Sequence, residues 1–367
     1  MKNNWPTKKL GEIAPFFRGQ GLSKKDMVSS GAHKCILYGQ LYTVYGPVID
    51  DVVGRTDKEG RMLSVIGDVL IPGTTTADEV GIAVASALNE AQVVLGSDIN
   101  IIRTKNKLLN SKFLSYLLSG PFKMRMAKYA RGTNIIHLSG KDIAKIEVPV
   151  PPMQIQKQIV KRLDKIANAQ KLNNELIQKT DELFQSLLHK ELNPSGNNWE
   201  EDKFVNCIEK NPLKIKGIPR EKYQSFGKFP IIDQSDKFII GYTDNEDKVY
   251  KIDSPVIIFG DHTRIFKYID FNFAIGADGT QIIIPDRQKI IPKFFYFSML
   301  NLKINNLGYS RHFKLLKTKK IIVPPIKIQK QIVVKLSAVQ DYKKQLLEQK
   351  SKLKELFDSV LSKSMKN

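Results

Sequence analysis

The residues of this sequence that could do chemistry are basic, amide and hydroxyl side chains in short polar loops. One such loop, residues 260–264 (Gly-Asp-His-Thr-Arg), follows an apolar run and contains His262 and Arg264. Loops at strand ends are where a rigid scaffold presents side chains, and arginine can bind a guanine edge through two hydrogen bonds. The loop is therefore a candidate for reading DNA bases. An ordinary turn with a surface arginine is the alternative.

Basic residues are concentrated in the last third of the chain. Residues 287–340 contain twelve Lys or Arg and no Asp or Glu, a bias that solvation alone does not require. A solvated helix face is the alternative after Ile326, so residues 311–320 are the better candidates for phosphate contacts. A second basic run, residues 214–222, suits phosphates rather than bases. The candidate DNA-binding residues are Tyr38, Gln40, Arg55, Thr75, Arg131, Asn134, Lys214, Lys216, Arg220, His262, Arg264, Arg311, Lys314 and Lys317.

The sequence matches none of the common motifs of nucleic-acid enzymes. It has no Gly-rich phosphate-binding loop, no His-Glu-x-x-His helix and no Cys/His metal spacing. Pro285-Asp286 is the only Pro-Asp, and no acidic residue follows it until Asp341, so a Pro-Asp…Glu-x-Lys nuclease motif is not matched. An Asn-Pro-Pro-aromatic tetrad of a base methyltransferase is not found either. We therefore expect binding without catalysis, cofactor or metal.

Length and composition indicate a folded protein of two domains that binds a polyanion. A chain of 367 residues exceeds the roughly 250–300 residues at which single cores stop growing. The net charge of +21 at pH 7 favours nucleic acid as the partner. No apolar run near 18 residues and no signal segment at residues 1–10 is found, so we expect a cytoplasmic protein without a membrane partner. The two cysteines, Cys35 and Cys207, are predicted to be ordinary buried thiols.

One segment of the sequence occurs twice. Residues 150–163 (Val-Pro-Pro-Met-Gln-Ile-Gln-Lys-Gln-Ile-Val-Lys-Arg-Leu) recur as residues 323–336, with ten of the fourteen positions identical. The offset of 173 then holds without a gap to Leu188 and Leu361. A weaker echo relates residues 5–10 to residues 199–204. The chain therefore alternates variable and repeated segments, which indicates an internal duplication.

Each repeat is predicted to be one long helix. Paired prolines suit a helix start, and neither Gly nor Pro follows until Pro194 in the first copy or the chain end in the second. We expect helices over residues 153–192 and 326–366. Because the second helix ends the chain and must return from the second domain, the pair is expected to be antiparallel. The alternative is that each helix packs only on its own domain.

Both helices carry apolar residues at intervals of seven, as in a coiled coil. In the second copy, Leu336, Tyr342 and Leu356 lie between the apolar residues that are seven positions apart. In the first copy, the polar residues Asn173 and Thr180 occupy two of the positions in this stripe of apolar residues. Polar residues in such a seam weaken it but can fix its register. The predicted positions for the coiled coil and for subunit docking are Ile159, Ile166, Asn173, Leu187, Ile332, Val339, Leu346, Leu353 and Val360.

The variable segments are predicted to be α+β domains of similar plan. Each contains short apolar runs, such as residues 68–73 and 256–260, followed by a helical stretch near residues 111–129 or 292–301. The predicted fold class is α+β, with two globular domains separated by two long helices that form an antiparallel coiled coil. The predicted bounds are 1–149 for the first domain, 150–193 for the central repeat helix, 194–322 for the second domain and 323–367 for the C-terminal repeat helix.

The repeated Val-Pro-Pro, Ile-Gln-Lys-Gln-Ile and terminal Leu-Phe-x-Ser resemble the specificity subunits of type I restriction-modification systems. The resemblance covers the whole chain, including the opening Trp-x-x-x-Lys-Leu. It implies two target recognition domains, each reading one half of a bipartite DNA site in double-stranded DNA, and helices that set the spacer. It also implies two methyltransferase (modification) subunits as partners, with restriction subunits joining through them. S-adenosylmethionine would be bound by the partner.

Two other classes of protein remain open at this stage. A structural coiled-coil scaffold with basic ends would bind DNA without sequence preference. An unrecognised nuclease would cleave DNA as the purified chain with a metal ion.

Overall fold

The computed structural model describes residues 5–104, 108–193, 195, 199–209, 216–276, 279–308 and 310–365. The chain forms two compact units. Unit 1 comprises Met1–Asn174 and Glu348–Asn367, and unit 2 comprises Glu175–Leu347. Each long helix therefore contributes one part to each unit.

Unit 1 is a mixed α+β unit built from short strands and helices. Its strands are β1 (Thr7–Lys9), β2 (Phe16–Arg18), β3 (His33–Ile36), β4 (Val48–Ile49), β5 (Arg55–Thr56), β6 (Asp68–Pro72), β7 (Thr74–Thr75), β8 (Ser86–Leu88), β9 (Val94–Leu95), β10 (Ile99–Arg103), β11 (Ile136–His137) and β12 (Glu147–Pro149). Its helices are α1 (Leu10–Ile13), α2 (Gln40–Thr43), α3 (Glu79–Ile82), α4 (Ser111–Ser119), α5 (Lys123–Ala127), α6 (Gly140–Ile143) and the first part of α7 (Met153–Glu191).

The core of unit 1 lies around a five-stranded sheet of order β2-β10-β6-β8-β4. The predicted apolar run forms β6, in which all five residues are buried. The Asp68 carboxylate at its start is fully buried and accepts two hydrogen bonds of 2.8 Å from Arg103 on β10. A buried carboxylate requires such a partner. A three-stranded sheet of order β5-β3-β9, in which β3 and β9 run parallel, also belongs to the unit. The remaining strands form the two-stranded sheets β1-β12 and β7-β11.

Unit 2 repeats this plan with fewer strands. The strands are β13 (Glu200–Lys203), β14 (Phe229–Ile232), β15 (Gly241–Thr243), β16 (Val249–Tyr250), β17 (Val256–Gly260), β18 (Phe266–Ile269), β19 (Phe273–Ile275), β20 (Thr280–Ile283) and β21 (Lys320–Val323). The helices are α8 (Pro292–Leu300), α9 (Phe313–Leu316), the first part of α10 (Ile326–Met365) and the last part of α7, and the last part of α10 belongs to unit 1. The fully buried β17 corresponds to β6, and parallel β14-β19 corresponds to β3-β9. The pair β13-β21 corresponds to β1-β12 and accounts for the echo between residues 5–10 and 199–204.

One glutamine in each repeat joins the long helix to the globular part of its unit. Gln156 is fully buried; it accepts a hydrogen bond of 2.8 Å from Asn110 N and donates to Leu108 O at 2.8 Å and to Pro151 O at 2.7 Å. A buried amide group needs hydrogen-bond partners for its oxygen and its nitrogen, and both atoms of Gln156 have such partners. These buried hydrogen bonds therefore explain why both repeats have glutamine at this position.

The second glutamine makes the same set of bonds. Gln329 accepts from Ile291 N at 2.8 Å and donates to Lys289 O at 3.1 Å and to Pro324 O at 2.9 Å. Ile291 is the residue before α8, just as Asn110 precedes α4. The two units therefore attach their long helices in one way.

The repeats form the predicted helices, of 39 residues for α7 and 40 for α10. In unit 1, Gln170 Nε2 donates to Leu353 O at 3.3 Å, and Leu361 joins the hydrophobic core together with Leu163. In unit 2, Lys335 Nζ donates to Glu191 at 2.9 Å and Lys343 Nζ to Asp181 at 2.5 Å. The sequence numbers rise on one helix as they fall on the other, so the helices run antiparallel in each unit.

The predicted stripe positions are buried or half-buried along both helices, but two intermediate positions were assigned wrongly. Tyr342 and Leu356 are 46% and 49% exposed. The buried or half-buried intermediate positions Leu336 and Lys343 lie four residues after a stripe position. Tyr342 and Leu356 lie only three residues after a stripe position and therefore face away from the seam. The polar positions Asn173 and Thr180 are buried in α7, and Thr180 Oγ1 donates to Leu176 O at 2.7 Å.

Candidate nucleic-acid interface

Two loops of unit 1 meet at the residue that follows β6. Gly73 N donates to Asp98 O at 2.6 Å, and Leu138 N donates to Gly73 O at 2.9 Å. A Cβ at Gly73 would lie 2.9 Å from Asp98 O, so the close approach requires glycine. We call Gly73, Asp98 and Leu138 the unit 1 junction. It brings the predicted loops 74–76 and 131–134 together, because β7 pairs with β11 beside it.

Unit 2 has the same junction in the corresponding place. Asp261 follows β17; its N donates to Gly279 O at 2.7 Å, and its O accepts from His312 N at 2.9 Å. Asp261, Gly279 and His312 are the unit 2 junction. It places the predicted loop 262–264 beside the basic segment that contains Arg311 and Lys314. Sequence reasoning had selected these segments separately, and the junction shows that they are neighbours.

A second close approach is also shared by the two units. A Cβ at Gly19 would lie 2.0 Å from Gly96 O, and one at Gly217 would lie 2.3 Å from Gly276 O. Each of these glycines follows an exposed basic residue, Arg18 or Lys216. Arg18, which pairs with Asp98 at 2.5 Å, was missed by the sequence analysis. Both units have a basic residue directly before this glycine, and this shared pattern in the sequence could have identified Arg18.

The other predicted residues of unit 1 lie in different environments. Arg131 and Asn134 are exposed in the loop before β11, and Arg55 is half-buried on β5. Thr75 is only 2% exposed, and its Oγ1 accepts a hydrogen bond of 3.1 Å from Ala77 N, so it supports the loop from inside. Tyr38 and Gln40 line a surface pocket together with Tyr42 and Asp98. The Gln40 side chain accepts from Leu37 N at 2.8 Å and thereby stabilises its own turn.

Arg264 is held in an unusual conformation. Its φ of 62° lies in the left-handed region, which disfavours residues with a Cβ. Its N donates to Gly260 O at 2.7 Å, and Nη1 donates to Ile304 O at 3.1 Å. The side chain is half-buried, as is that of His262. Unusual backbone of this kind is concentrated at functional sites, which supports a role for Arg264 in binding.

The remaining basic candidates of unit 2 lie at the surface. Arg311, Lys314, Lys317, Lys216 and Arg220 are exposed. Lys317 Nζ lies 5.0 Å from the centroid of the Phe313 ring. The remaining candidate, Lys214, is outside the described residues.

A basic pocket in unit 1 was also missed by the sequence analysis. Arg125, Lys128 and Lys145 line it together with Tyr129 and the single carboxylate of Glu147. Arg125 lies on α5, which packs against α3, and α3 in turn contacts β7 beside the unit 1 junction. The basic residues come from α5 and from the segment before β12, so sequence spacing gave no sign that they meet. Such a cluster suits an anionic backbone.

Both thiols are buried, as predicted, and burial raises the pKa of Cys207 to about 11. Burial also raises the pKa of Cys35. Within the described part of the chain, no group of three or more His, Cys, Asp or Glu side chains is arranged to hold a metal ion. None of its helices combines the length and the apolar character needed to cross a membrane.

Two α+β units with equivalent loop junctions, each attached by a buried glutamine to a pair of antiparallel helices, define an internally duplicated α+β protein. Residues 2–181 match the family model described as type I restriction modification DNA specificity domain. Residues 2–181 therefore form a domain of this family. Proteins called specificity subunits are recognition components of such systems rather than enzymes.

Individual relatives extend the match over the whole chain. A protein of Methanocaldococcus jannaschii described as the MjaX type I restriction enzyme specificity subunit is 24% identical over 340 residues, covering 82% of this chain and 77% of that one. The crystal structure of a type I restriction-modification S subunit from M. genitalium is similar with a TM-score of 0.68 at 17% identity, covering 100% of this chain and 98% of that one. A chain from a structural study of complex assembly and conformational transition in the type I R-M system gives 0.60 at 16%, with the same coverage. These two likenesses establish the fold.

Proposed function

We propose that this chain is the DNA-recognition subunit of a type I restriction-modification complex and that each globular domain reads one half of a bipartite site. The reading domains are residues 1–149 and 194–322. The equivalence of the two junctions carries the proposal, because each places one strand-end loop beside a second polar loop. Direct readout of DNA requires several side chains held together in this way.

The long helices, residues 150–193 and 323–367, are proposed to set the spacer and to bind two methyltransferase subunits, through which restriction subunits join. The helices carry exposed apolar side chains, which favour a protein partner. On α7 these are Leu172, Leu176 and Leu183, and on α10 they include Val334, Leu347 and Leu356. Co-purification of the full chain with the methyltransferase subunits tests this part of the proposal.

Sequence preference separates this function from a scaffold that binds DNA by charge alone. The full chain with its methyltransferase subunits is incubated with a randomised duplex library, and the retained duplexes are sequenced. We expect a two-part motif with an unread spacer of fixed length. Retention without any motif would favour the scaffold. Metal-dependent cleavage by the chain alone would favour a nuclease.

Binding is expected to weaken steeply with salt, and the basic pocket of unit 1 should contribute to this dependence. Each phosphate neutralised adds about 0.9 to the slope of log affinity against log salt. The double variant Arg125→Ala/Lys128→Ala should therefore reduce the slope by about 1.8 without changing the preferred sequence. Fluorescence anisotropy across a salt series measures the slope.

The matched control for this variant removes two exposed lysines of α10, Lys350→Ala/Lys354→Ala. It changes the net charge by the same amount but leaves the pocket intact. Equal slopes for the two double variants would show that total charge, and not the pocket, determines the salt response.

Arg264→Ala is expected to weaken binding to the preferred site by about 1–3 kcal/mol and to relax the preference at one position of one half-site. The reason is that the guanidinium is held beside the unit 2 junction by Ile304 O. Arg287→Ala is the control, since Arg287 is a more exposed arginine of the same unit that pairs with Asp253 at 2.9 Å. A uniform loss on all sequences after Arg264→Ala would make this residue a phosphate contact instead.

A further inference from the structure

Buried ionisable side chains lie at the unit 2 junction, whereas the buried side chain that bonds to the unit 1 junction is the neutral amide of Asn100, which donates to Leu138 O at 2.8 Å. Asp261 and His312 are 2% and 0% exposed, and nearby Lys267 is 4% exposed. In unit 1 the same backbone hydrogen bonds are made by Gly73 and Leu138, which have no ionisable side chains. The backbone bonds that the two units share therefore form without these side chains, and the buried side chains are an additional feature of unit 2.

Asp261 and His312 join the reading loop to the segment before α9. Asp261 Oδ1 accepts a hydrogen bond of 2.7 Å from Phe313 N. The Nδ1 atom of His312 lies 2.8 Å from Asp261 O, and its Nε2 atom accepts from Leu307 N at 3.0 Å. Since Nε2 accepts, the proton is on Nδ1, which donates to Asp261 O. All of these bonds lie within unit 2 and fix Asp261 relative to Leu307, His312 and Phe313.

Lys267 lies on β18, the strand that follows this loop, and joins that strand to a third segment. From β18 its Nζ donates to Asp233 O at 2.8 Å and to Lys237 O at 2.5 Å. Burial lowers the pKa of Lys267, and the nearby charge of Asp233 opposes this effect. A buried ammonium group is retained only where such acceptors surround it.

Gln234, in the segment held by Lys267, contacts the reading loop directly. Its carbonyl accepts from Thr263 Oγ1 at 2.5 Å, and its side-chain Oε1 accepts from His262 N at 3.1 Å. Side-chain bonds therefore connect residues 233–237 to residues 261–264, and residues 261–264 to residues 312–313. We call Asp261, Lys267 and His312 the polar latch.

We propose that the polar latch consists of positioning residues that determine the sequence specificity of unit 2. This inference rests on the proposed function, because it concerns how the second half-site is read. Base recognition depends on hydrogen bonds of fixed direction, and loops that are ordered before binding lose less entropy when DNA arrives. The latch holds His262 and Arg264 in one arrangement, including the left-handed backbone of Arg264. It supplies order and makes no contact with the bases itself.

The test compares Asp261→Ala with Asp261→Asn in the full chain with its methyltransferase subunits. Asparagine keeps an oxygen that can accept from Phe313 N, whereas alanine does not. We expect Asp261→Ala to reduce discrimination at the second half-site about tenfold at one or more positions, and Asp261→Asn to restore it. The first half-site, read by unit 1, should be unchanged in both variants. Sequencing of duplexes retained from a randomised library measures both half-sites at once.

A second pair of variants tests the latch from the other side of the loop. Lys267→Met removes both donated bonds, and Lys251→Met, at an exposed lysine of the same unit, is the control. We expect only Lys267→Met to broaden the second half-site. Folded Asp261→Ala and Lys267→Met proteins that lose affinity equally on every sequence would overturn the latch and leave a purely structural role.

Two further observations keep the outcomes distinct. If the native complex selects no two-part motif, the proposed function fails before the latch is tested. If the latch variants do not fold, hydrogen exchange of the native full chain decides. The amides of His262, Leu307 and Phe313 should be protected without DNA, and rapid exchange at these amides would overturn the proposal.

Discussion

Exchange of residues 1–149 for the corresponding domain of a relative is expected to replace one half of the recognised DNA site and to leave the other half unchanged. The exchanged segment contains the whole unit 1 junction and both strands of the pair β1-β12. The hydrogen bonds described above for the unit 2 junction and the polar latch join residues of unit 2 to one another. The second half-site should therefore be read as before.

The expected size of this effect is large because several base pairs change together. A mismatch at one position costs about 1–3 kcal/mol, and well-separated positions are roughly additive. Three changed positions at about 1.4 kcal/mol each amount to about a thousandfold difference in affinity between the old and the new half-site. Selection from a randomised library with the methyltransferase subunits present measures this change.

The exchange must preserve the attachment of α7. Gln156 bonds to Asn110 N and to Leu108 O, which both belong to the exchanged segment. Both bonds reach backbone atoms, so a foreign domain of the same plan can replace them. Exchange of residues 194–322 is the reciprocal control and should change only the other half-site. Changes in both half-sites after either exchange would refute two separate readers.

Much of the architecture could be predicted because duplication and helix periodicity are properties of the sequence itself. The offset of 173 gave two long helices, and Gln156 and Gln329 repeat because they make the same buried bonds. The α+β class followed from apolar runs such as β6 and β17. The phase of the helix seam could not be predicted fully, since Tyr342 differs from Lys343 by one position and only packing shows which lies inside.

The candidate site was predicted less completely because side-chain position depends on contacts distant in sequence. Polar loops were recognised from their residue types, yet Thr75 is buried by its surroundings. Arg18 and the basic pocket around Arg125 were missed, because their neighbours Asp98 and Lys145 are brought close only by the fold. The equivalence of Gly73 and Asp261 was also hidden, since the shared bonds use backbone atoms and the side chains differ.

The second large effect concerns the spacer between the half-sites. If the helices set it, deletion of one heptad from each should shorten it. Residues 173–179 of α7 and 346–352 of α10 are the suitable segments. On each helix they lie between the contact of Gln170 with Leu353 and the ion pair of Asp181 with Lys343. Removing both segments together therefore keeps the antiparallel register at these two contacts.

The double deletion shortens each helix by about 10 Å, at about 1.5 Å per residue, and rotates it by only about 20°. At about 3.4 Å per base pair, the preferred spacer should contract by about three base pairs while both half-site sequences stay the same. Three base pairs also turn the duplex by roughly 100°, given about 10.5 base pairs per turn. Because the helices do not follow this rotation, affinity for the shortened site should be lower than that of the native protein for its own site. Methylation of a spacer library by the complex measures the preferred length, and an unchanged spacer in an active double deletion would refute the ruler role of the helices.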